Sequence, residues 1–205
     1  MLGKQGKLEE AGSLYREVIE GQTATFGANR EDTLTTKVNY ATLLEQQGKL
    51  EEADSLHREV IEGQTDAFGA NHSDTLNTKM KYAALLKHQG KLKEADSIYQ
   101  EEIEGLTEAL GANHKHTLET KGNYAGVLED QGKLEDAERL YLEVIKGLTE
   151  ALGAHCKNTL LMKFNLGNLL ANAGDTARAW PLYEAAAAGL AATVGKGSVH
   201  VASAR

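Results

Sequence analysis

One segment recurs along this chain at a fixed spacing of 42 residues. The copy GKLEEADSLHREVIEGQ begins at Gly48, close copies begin at Gly6, Gly90 and Gly132, and a looser copy begins at Gly174. No insertion interrupts this spacing. A period of roughly 20–50 residues is typical of solenoids, propellers and other arrays, in which each unit buries its apolar face by stacking on a neighbour.

Each repeat carries the apolar spacing of two helices. Apolar residues three to four positions apart predict one helix from about Thr33 to Gln47 and a second from about Glu51 to Ala67. Gly48 stands where the first helix must end in a left-handed cap, and Gly69 ends the second. The candidate N-caps of the first helices are Asp32, Asp74 and Asn158. Strands are excluded because no segment alternates, and the Trp-Asp and Gly-His signals of a propeller blade are absent.

Small residues predict where the paired helices approach each other. They are Ala41, Ala83, Ala125 and Gly167 on the first helices, and Ala53, Ala95, Ala137 and Ala179 on the second. Small side chains let two helix backbones pack closely. Glycines inside the second helices cost roughly 1 kcal/mol each relative to alanine, so they are interpreted as close-packing sites. These glycines are Gly63, Gly105, Gly147 and Gly189.

These features together resemble the tetratricopeptide repeat. The resemblance rests on Gly-Lys-Leu-x-Glu-Ala, the paired alanines, and tyrosines at 15, 99, 141 and 183. The 42-residue period, Asp32-Thr33-Leu34, Asn39-Tyr40-Ala41 and Phe68-Gly69 are similar to the kinesin-light-chain type of repeat, which also occurs in the tails of nucleotide-binding receptor proteins. Two departures from the family pattern are the missing His-Pro before the first helices and the lysines at a usually apolar position. These lysines are Lys37, Lys79, Lys121 and Lys163, whose methylenes we expect to cover the core while the amines point outward.

The resemblance implies an all-α fold, a right-handed α-solenoid of antiparallel helix pairs with about five repeats. The whole chain, 1–205, is predicted to be a single solenoid and a piece of a longer array. The predicted helix pairs lie roughly at 32–69, 74–111, 116–153 and 158–195, with partial repeats at 1–27 and 196–205.

Composition limits the partners of the chain. The net charge of -8 argues against nucleic acid or an anionic membrane surface as the main partner. No apolar run approaches the length of a membrane span. The single cysteine, Cys156, excludes an internal disulfide and favours a reducing, cytoplasmic location.

One face of the first helix varies between repeats while the rest stays constant. From the copy at Thr33 to the copy at Thr75, TLTTKVNYATLLEQQ becomes TLNTKMKYAALLKHQ. The six positions that change are 35, 38, 39, 42, 45 and 46, which share one side of a helix. We call these six positions, in every repeat, the varied face. The exposed side of the second helix hardly changes between the first two copies, which argues against simple drift of exposed positions. In tetratricopeptide superhelices the first helices line the concave groove, so the resemblance implies that the varied face binds a peptide there.

The varied face supplies the candidate binding residues. They are Asn39, Thr42, Gln46, Asn77, Lys81, Lys87, His88, Glu119, Asn123, Glu129, Asp130, Leu161, Phe164, Asn165, Asn168 and Asn172. Asparagine offers a donor and an acceptor to an extended peptide backbone, and Leu161 with Phe164 offers an apolar anchor. Small residues at 84, 122 and 126 are expected to leave room for a bulky side chain. The ligand is expected to be a peptide or protein segment of mixed charge, acidic near Lys81 and Lys87 and basic near Glu129 and Asp130.

Catalytic and cofactor chemistry is not predicted. His114, His116, His155 and Cys156 match no zinc-finger spacing, and loop histidines that cap turns are the simpler interpretation. Three adjacent residues, His72-Ser73-Asp74, cannot form a nucleophile–base–orienter line. No enzyme activity, metal or cofactor is therefore expected. Two alternatives to peptide binding are a structural module that self-associates end to end and a regulatory tail of a larger nucleotide-binding protein.

Overall fold

The computed structural model describes the backbone of residues 2–202 and the side-chain burial of residues 6–192. Within residues 2–202 the chain forms nine helices and no strand. They are α1 (Leu2–Phe26), α2 (Glu31–Gln46), α3 (Leu50–Phe68), α4 (Ser73–His88), α5 (Leu92–Leu110), α6 (Lys115–Asp130), α7 (Leu134–Leu152), α8 (Lys157–Asn172) and α9 (Thr176–Ala202). The all-α repeat fold predicted from the sequence is confirmed, and the predicted helices over 33–47 and 51–67 correspond to α2 and α3.

A tight turn closed by glycine joins the two helices of each pair. Gly48 has a φ of 75°, a left-handed conformation that glycine adopts without strain. The amide of Lys49 donates to the Leu44 carbonyl at 2.9 Å, and the amide of Gly48 donates to the Glu45 carbonyl at 3.0 Å. These two bonds are the Schellman arrangement, which satisfies carbonyls at the end of α2. The predicted left-handed cap at Gly48 is therefore confirmed.

The loop between pairs differs from the expectation at its N-cap. The residue before α4 is His72, whose ring Nδ1 accepts a hydrogen bond from the Asp74 amide at 3.3 Å. His114 caps α6 in the same way, while Arg30 and Cys156 stand at the equivalent places without a side-chain cap bond. The prediction of Asp32, Asp74 and Asn158 as N-caps is wrong. These three residues lie inside the first helical turn. The carboxylates of Asp32 and Asp74 interact favourably there with the positive end of the helix dipole.

A buried threonine fixes each of these loops. The hydroxyl of Thr75 donates to the carbonyl of Gly69 at 2.9 Å, although Thr75 is fully buried. The same bond, always between residues six positions apart, recurs from Thr33, Thr117 and Thr159 to Gly27, Gly111 and Gly153. The end of one pair and the start of the next are therefore held in one geometry at every repeat.

The chain divides into two units, residues 1–98 (unit 1) and 99–205 (unit 2). In unit 1, α1 packs on α2, α2 on α3, and α3 on α4. In unit 2, α6 packs on α7, α7 on α8, and α8 on α9, while α6 also contacts α8. A single solenoid over 1–205 stays a prediction.

Small residues lie where the helices meet, as predicted. Every alanine of the two sets named above is buried, and Gly167 packs against the ring of Tyr183. A methyl group at Gly147 would lie 2.8 Å from Cδ2 of Leu118, and one at Gly63 would lie 3.0 Å from Cδ2 of Leu34. Gly189 meets Leu160 in the same way. These three glycines are confirmed as close-packing sites.

The last helix ends later in the chain than predicted. α1 runs without a break from Leu2 through Gly6, and α9 continues to Ala202 rather than ending near residue 195. Residues 203–205 of the predicted last partial repeat lie outside the described residues. Trp180 is 65% exposed, and its indole nitrogen donates to Glu184 at 2.9 Å.

Candidate functional site

In unit 1, the varied face divides between surface and core. Its exposed members are Thr35, Asn39, Gln46, Asn77, Ala84 and His88, and its half-buried members are Thr42, Glu45, Met80, Lys81 and Lys87. Val38 is only 7% exposed and packs with Leu34 and Val60. The surface assignment of Val38 is wrong because it lies one helical turn after Leu34 and so shares its buried stripe.

Five residues of the varied face, from two neighbouring first helices, line one open cavity. The cavity has a volume of about 220 Å³. Its lining residues are Thr35, Val38 and Asn39 from α2, Gln64 from α3, and Asp74, Asn77, Thr78 and Lys81 from α4. The candidate site residues Asn39, Asn77 and Lys81 are thus brought together by the packing of unit 1.

Sequence reasoning missed Gln64, Asp74 and Thr78 as lining residues. Gln64 lies on the second helix, outside the varied face, and is 3% exposed. A signal for it was present in the sequence, because the repeat position of Gln64 is leucine at 106, 148 and 190 but glutamine at 22 and 64. A polar residue in an apolar register is a reason to examine what surrounds it.

Glu45 belongs partly to the scaffold rather than to a binding surface. Its carboxylate lies 2.9 Å from Nε2 of His57, a side chain with no exposed surface. His57 occupies the position at which the other repeats have Tyr15, Tyr99, Tyr141 and Tyr183. Unit 2 shows the same relationship at Tyr141, where burial first, and then the charges of Glu129 and Asp130, raise the pKa of the phenol to about 12.

A half-buried carboxylate, that of Asp54, ties α3 to α4 away from the cavity. Oδ1 of Asp54 accepts a hydrogen bond from the Tyr82 hydroxyl at 2.6 Å and one from Arg58 at 2.9 Å, and Oδ2 accepts one from Lys91 at 2.9 Å. Burial alone raises the pKa of Asp54, but these hydrogen bonds outweigh it and lower that pKa to about 2. The pKa of Tyr82 is raised by burial and by its bond to Asp54. This network holds the frame on which the varied face is carried.

The lysines of the first helix also serve the frame. Lys37 is 5% exposed, and its amine lies 2.6 Å from Glu59 on the surface of α3. Lys121 makes the equivalent pair with Glu143 at 2.5 Å. The expectation of buried methylenes and an outward amine is confirmed for these two lysines.

In unit 2, Asn123 and Asp130 on α6 and Leu161, Phe164 and Asn172 on α8 are exposed. Glu119, Glu129, Asn165, Asn168 and Ala171 are half-buried. Two of these carboxylates already accept hydrogen bonds, Glu129 from Asn172 of the varied face and Glu119 from Asn158 outside it. Unit 2 therefore carries a polar face with some of its groups already engaged.

Gly122 and Gly126 leave no room for a ligand side chain. Both are buried, and the sulfur of Met162 occupies the place where a side chain at Gly122 would begin. The prediction of open space there is wrong, because Met162 stands at a position that is threonine in the other repeats and fills the gap. Ala84, by contrast, is exposed as expected.

An apolar pair is exposed on α8. Leu161 is 50% exposed and Phe164 is 47% exposed. The ring of Phe164 lies 5.5 Å from that of Tyr183, whose hydroxyl donates to Asn168 at 2.9 Å. Phe164 is therefore supported from one side and open on the other, which suits an anchor for an apolar group.

The histidines act locally in the described structure. His114 caps α6, and its ring lies 5.5 Å from that of His116. Among the residues with described side chains, no group of three or more His, Cys, Asp or Glu residues is placed to hold a metal ion. In the described part of the chain, no helix has both the length and the apolar character needed to cross a bilayer.

Solved structures with a similar fold include a variant of a putative kinesin light chain from Podosopora anserina with nearly identical TPR-like repeats. It is 20% identical, with a TM-score of 0.77 over 93% of this chain and 90% of that one. BtubC (BKLC) from P. vanneervenii is 18% identical, with a TM-score of 0.76 over 94% of this chain and 77% of that one. YrrB, described as a TPR protein with an unusual peptide-binding site, is 16% identical, with a TM-score of 0.51 over 92% of this chain and 80% of that one.

A comparison with curated protein sequences gives no match. The family model for the tetratricopeptide repeat matches residues 1–66 and 74–150, which together are more than half of the chain. The helix pairs and their small-residue contacts agree with this match. The chain therefore belongs to the tetratricopeptide repeat family.

Proposed function

We propose that this protein is an interaction scaffold or adaptor, of kinesin-light-chain-like architecture, that binds an extended peptide or protein segment along the varied face. The observation that carries the proposal is the cavity of unit 1, because residues that differ between repeats line it from two neighbouring first helices. The tetratricopeptide fold, and a fold neighbour described as having a peptide-binding site, support the same function.

The chemistry of the two units favours different parts of a ligand. In unit 1 the cavity contains both Lys81 and Asp74, so an acidic ligand side chain near Lys81 also meets a carboxylate. The expectation of an acidic segment at this point is therefore replaced by an uncharged polar one. In unit 2, Glu129 and Asp130 favour a basic group, while Leu161 and Phe164 favour an apolar one.

The proposed role requires no reaction and no cofactor. Recognition depends on a constant frame, which packing and the Asp54 network stabilise, and on a face whose side chains are free to differ. A cytoplasmic location is proposed with this role, because the chain has one cysteine and no internal disulfide.

A peptide-array screen of the whole chain tests the proposal. The wild type is compared with the double variant Lys81→Glu, Lys87→Glu on the varied face and with a control, Glu51→Gln, Glu52→Gln, on the exposed side of α3. We expect the first variant to change which peptides bind and the control to keep the wild-type pattern. Absence of specific binding by the wild type, or equal changes in both variants, contradicts a ligand-binding role of this face.

A further inference from the structure

The cavity of unit 1 contains a buried amide that makes no hydrogen bond to any described residue. Gln64 is 3% exposed, and its Oε1 atom is closed off from solvent and has no donor near it. Because Gln64 nevertheless lines the cavity, the amide nitrogen Nε2 is the polar atom left to meet an occupant. Buried polar groups are nearly always hydrogen-bonded in folded proteins, so an unsatisfied amide beside a cavity requires an explanation.

The repeat itself shows what a purely structural residue at this position looks like. Leu106 and Leu148 stand at the position of Gln64 in later repeats, and both are almost fully buried. The preceding repeat has Gln22 there, which is half-buried and whose Oε1 likewise has no hydrogen-bond partner. Leucine fills this position without any unsatisfied polar group, whereas glutamine there carries the cost of desolvating its amide. A ligand that accepts a hydrogen bond from Nε2 offsets part of that cost when it binds, while Oε1 stays buried without a partner.

Charge limits what the occupant of the cavity can be. Lys81 and Asp74 both line the cavity. Neither a hydrogen bond nor an ion pair joins the Lys81 amine to another described residue, and the carboxylate of Asp74 lies 3.9 Å from the ring nitrogen of His72. A carboxylate in the cavity satisfies Lys81 and Gln64 but faces Asp74. A cation satisfies Asp74 but faces Lys81.

We propose that this cavity is a specificity pocket for one primary-amide side chain, asparagine or glutamine, of the peptide ligand. A primary amide has a carbonyl oxygen that accepts from both Gln64 and Lys81 and an NH₂ group that donates to Asp74. A volume of about 220 Å³ suits one side chain rather than a whole small-molecule ligand. This inference rests on the proposed peptide-binding function and adds the chemical class that unit 1 selects.

The test uses the whole chain and a random peptide library displayed on phage. We expect the selected peptides to share an asparagine or glutamine, whose exchange for the matching acid weakens binding by about tenfold or more. The variant Gln64→Leu is expected to lose this preference while its melting temperature stays the same or rises.

Two further variants use residues that the chain already has at the same repeat position. Asp74→Asn copies Asn158, and Lys81→Asn copies Asn39, Asn123 and Asn165. We expect Asp74→Asn to bind more tightly the peptide whose asparagine or glutamine has been exchanged for the matching acid. We expect Lys81→Asn to bind more tightly a peptide in which lysine replaces that asparagine or glutamine. Each variant removes the protein charge that would repel the exchanged peptide side chain, the carboxylate of Asp74 for the acid and the amine of Lys81 for the lysine.

The possible outcomes separate this inference from the proposed function. Selected peptides that bind without a shared amide residue, or whose amide preference survives Gln64→Leu, overturn the pocket and leave peptide binding intact. A shared acidic or basic residue in place of the amide also overturns the pocket. If no peptide is enriched on the wild type, both the pocket and the proposed function fail.

Discussion

Nε2 of His57 lies 2.9 Å from the carboxylate of Glu45, and the imidazole has no exposed surface. This pair joins the second helix of one repeat to the first, and the other four repeats have tyrosine at the position of His57. A residue that differs between repeats on the first helix is therefore linked to one that differs on the second. The varied face is not independent of the frame at this point.

The variant His57→Tyr tests this linkage. Tyrosine already occupies the equivalent positions 99 and 141 with 2% exposure, so we expect a change in unfolding free energy within about 1 kcal/mol. His57→Ala, which leaves a cavity, is expected to lose about 2–4 kcal/mol. Urea unfolding measures both values. A tyrosine variant as unstable as the alanine variant contradicts the equivalence of these positions.

Glycines at one repeat position are expected to respond in opposite directions. Gly147→Ala places a methyl group 2.8 Å from Leu118, and we expect it to destabilise by about 1–3 kcal/mol. Gly21 stands at the same repeat position in α1, and a methyl group there would contact no other part of the protein within 4 Å. Gly21→Ala is therefore expected to stabilise the fold by about 0.5–1 kcal/mol. Thermal unfolding of both variants measures the two changes in stability. Changes of the same sign argue against close packing as the role of Gly147.

The Asp54 network predicts a dependence of stability on pH. The pKa of Asp54 is lowered to about 2 in the folded chain, below the value of ~3.9 for an unfolded aspartate. The stabilisation is therefore complete above about pH 4 and is lost as the pH falls towards 2. We expect Asp54→Asn to be less stable than the wild type by about 1–3 kcal/mol at pH 7, because its charged hydrogen bonds are lost.

The difference in unfolding free energy between the wild type and Asp54→Asn should become smaller as the pH falls from 4 to 2. Unfolding by urea at a series of pH values measures it. A difference in unfolding free energy that stays the same throughout that pH range shows that the ionised carboxylate of Asp54 does not contribute to stability.

The hydrogen bond from the Thr75 hydroxyl to the Gly69 carbonyl gives a further stability prediction. Thr75→Val keeps the size of the side chain but leaves the Gly69 carbonyl without its hydroxyl donor, so we expect a loss of about 1–2 kcal/mol. Thr75→Ser retains the hydroxyl and serves as the control for the bond. Hydrogen exchange at the start of α4 should increase in the valine variant only. Equal protection in both variants is the contrary result.

The asparagines of unit 2 test the proposed ligand contacts. Asn123→Ala with Asn165→Ala is expected to weaken binding of a selected peptide by about 1–3 kcal/mol in total. The melting temperature should change little, because Asn123 is exposed and Asn165 is half-buried. Isothermal titration calorimetry measures the affinity. An unchanged affinity removes the varied face of unit 2 from the binding site.

The repeat period and the glycine stops were sufficient to predict the helices, because both are local properties. Gly48 ends α2 by backbone conformation alone, and the stripe of Leu34, Ala41 and Leu44 defines its buried side. The N-caps were predicted wrongly because Asp32 and Asp74 are good capping residues in isolation. The ring nitrogen of His72 performs that role two residues earlier.

The candidate site was predicted less well because it depends on contacts between elements. The space beside Gly122 is filled by Met162 from another helix, and Gln64 reaches the cavity from a helix that the varied face does not include. The constancy of the second helix also has a local cause, since Glu59 pairs with Lys37. That constancy is therefore explained at least at Glu59 by ion pairing within the repeat.

The hydrogen bond from threonine to glycine in each loop between helix pairs joins residues only six positions apart. All of its atoms belong to one copy of the repeated sequence and its immediate junction. Duplication of a 42-residue stretch of the gene would thus carry the complete joint with it. Longer or shorter descendants could arise by copying or deleting whole modules, without a new connection having to evolve at each junction.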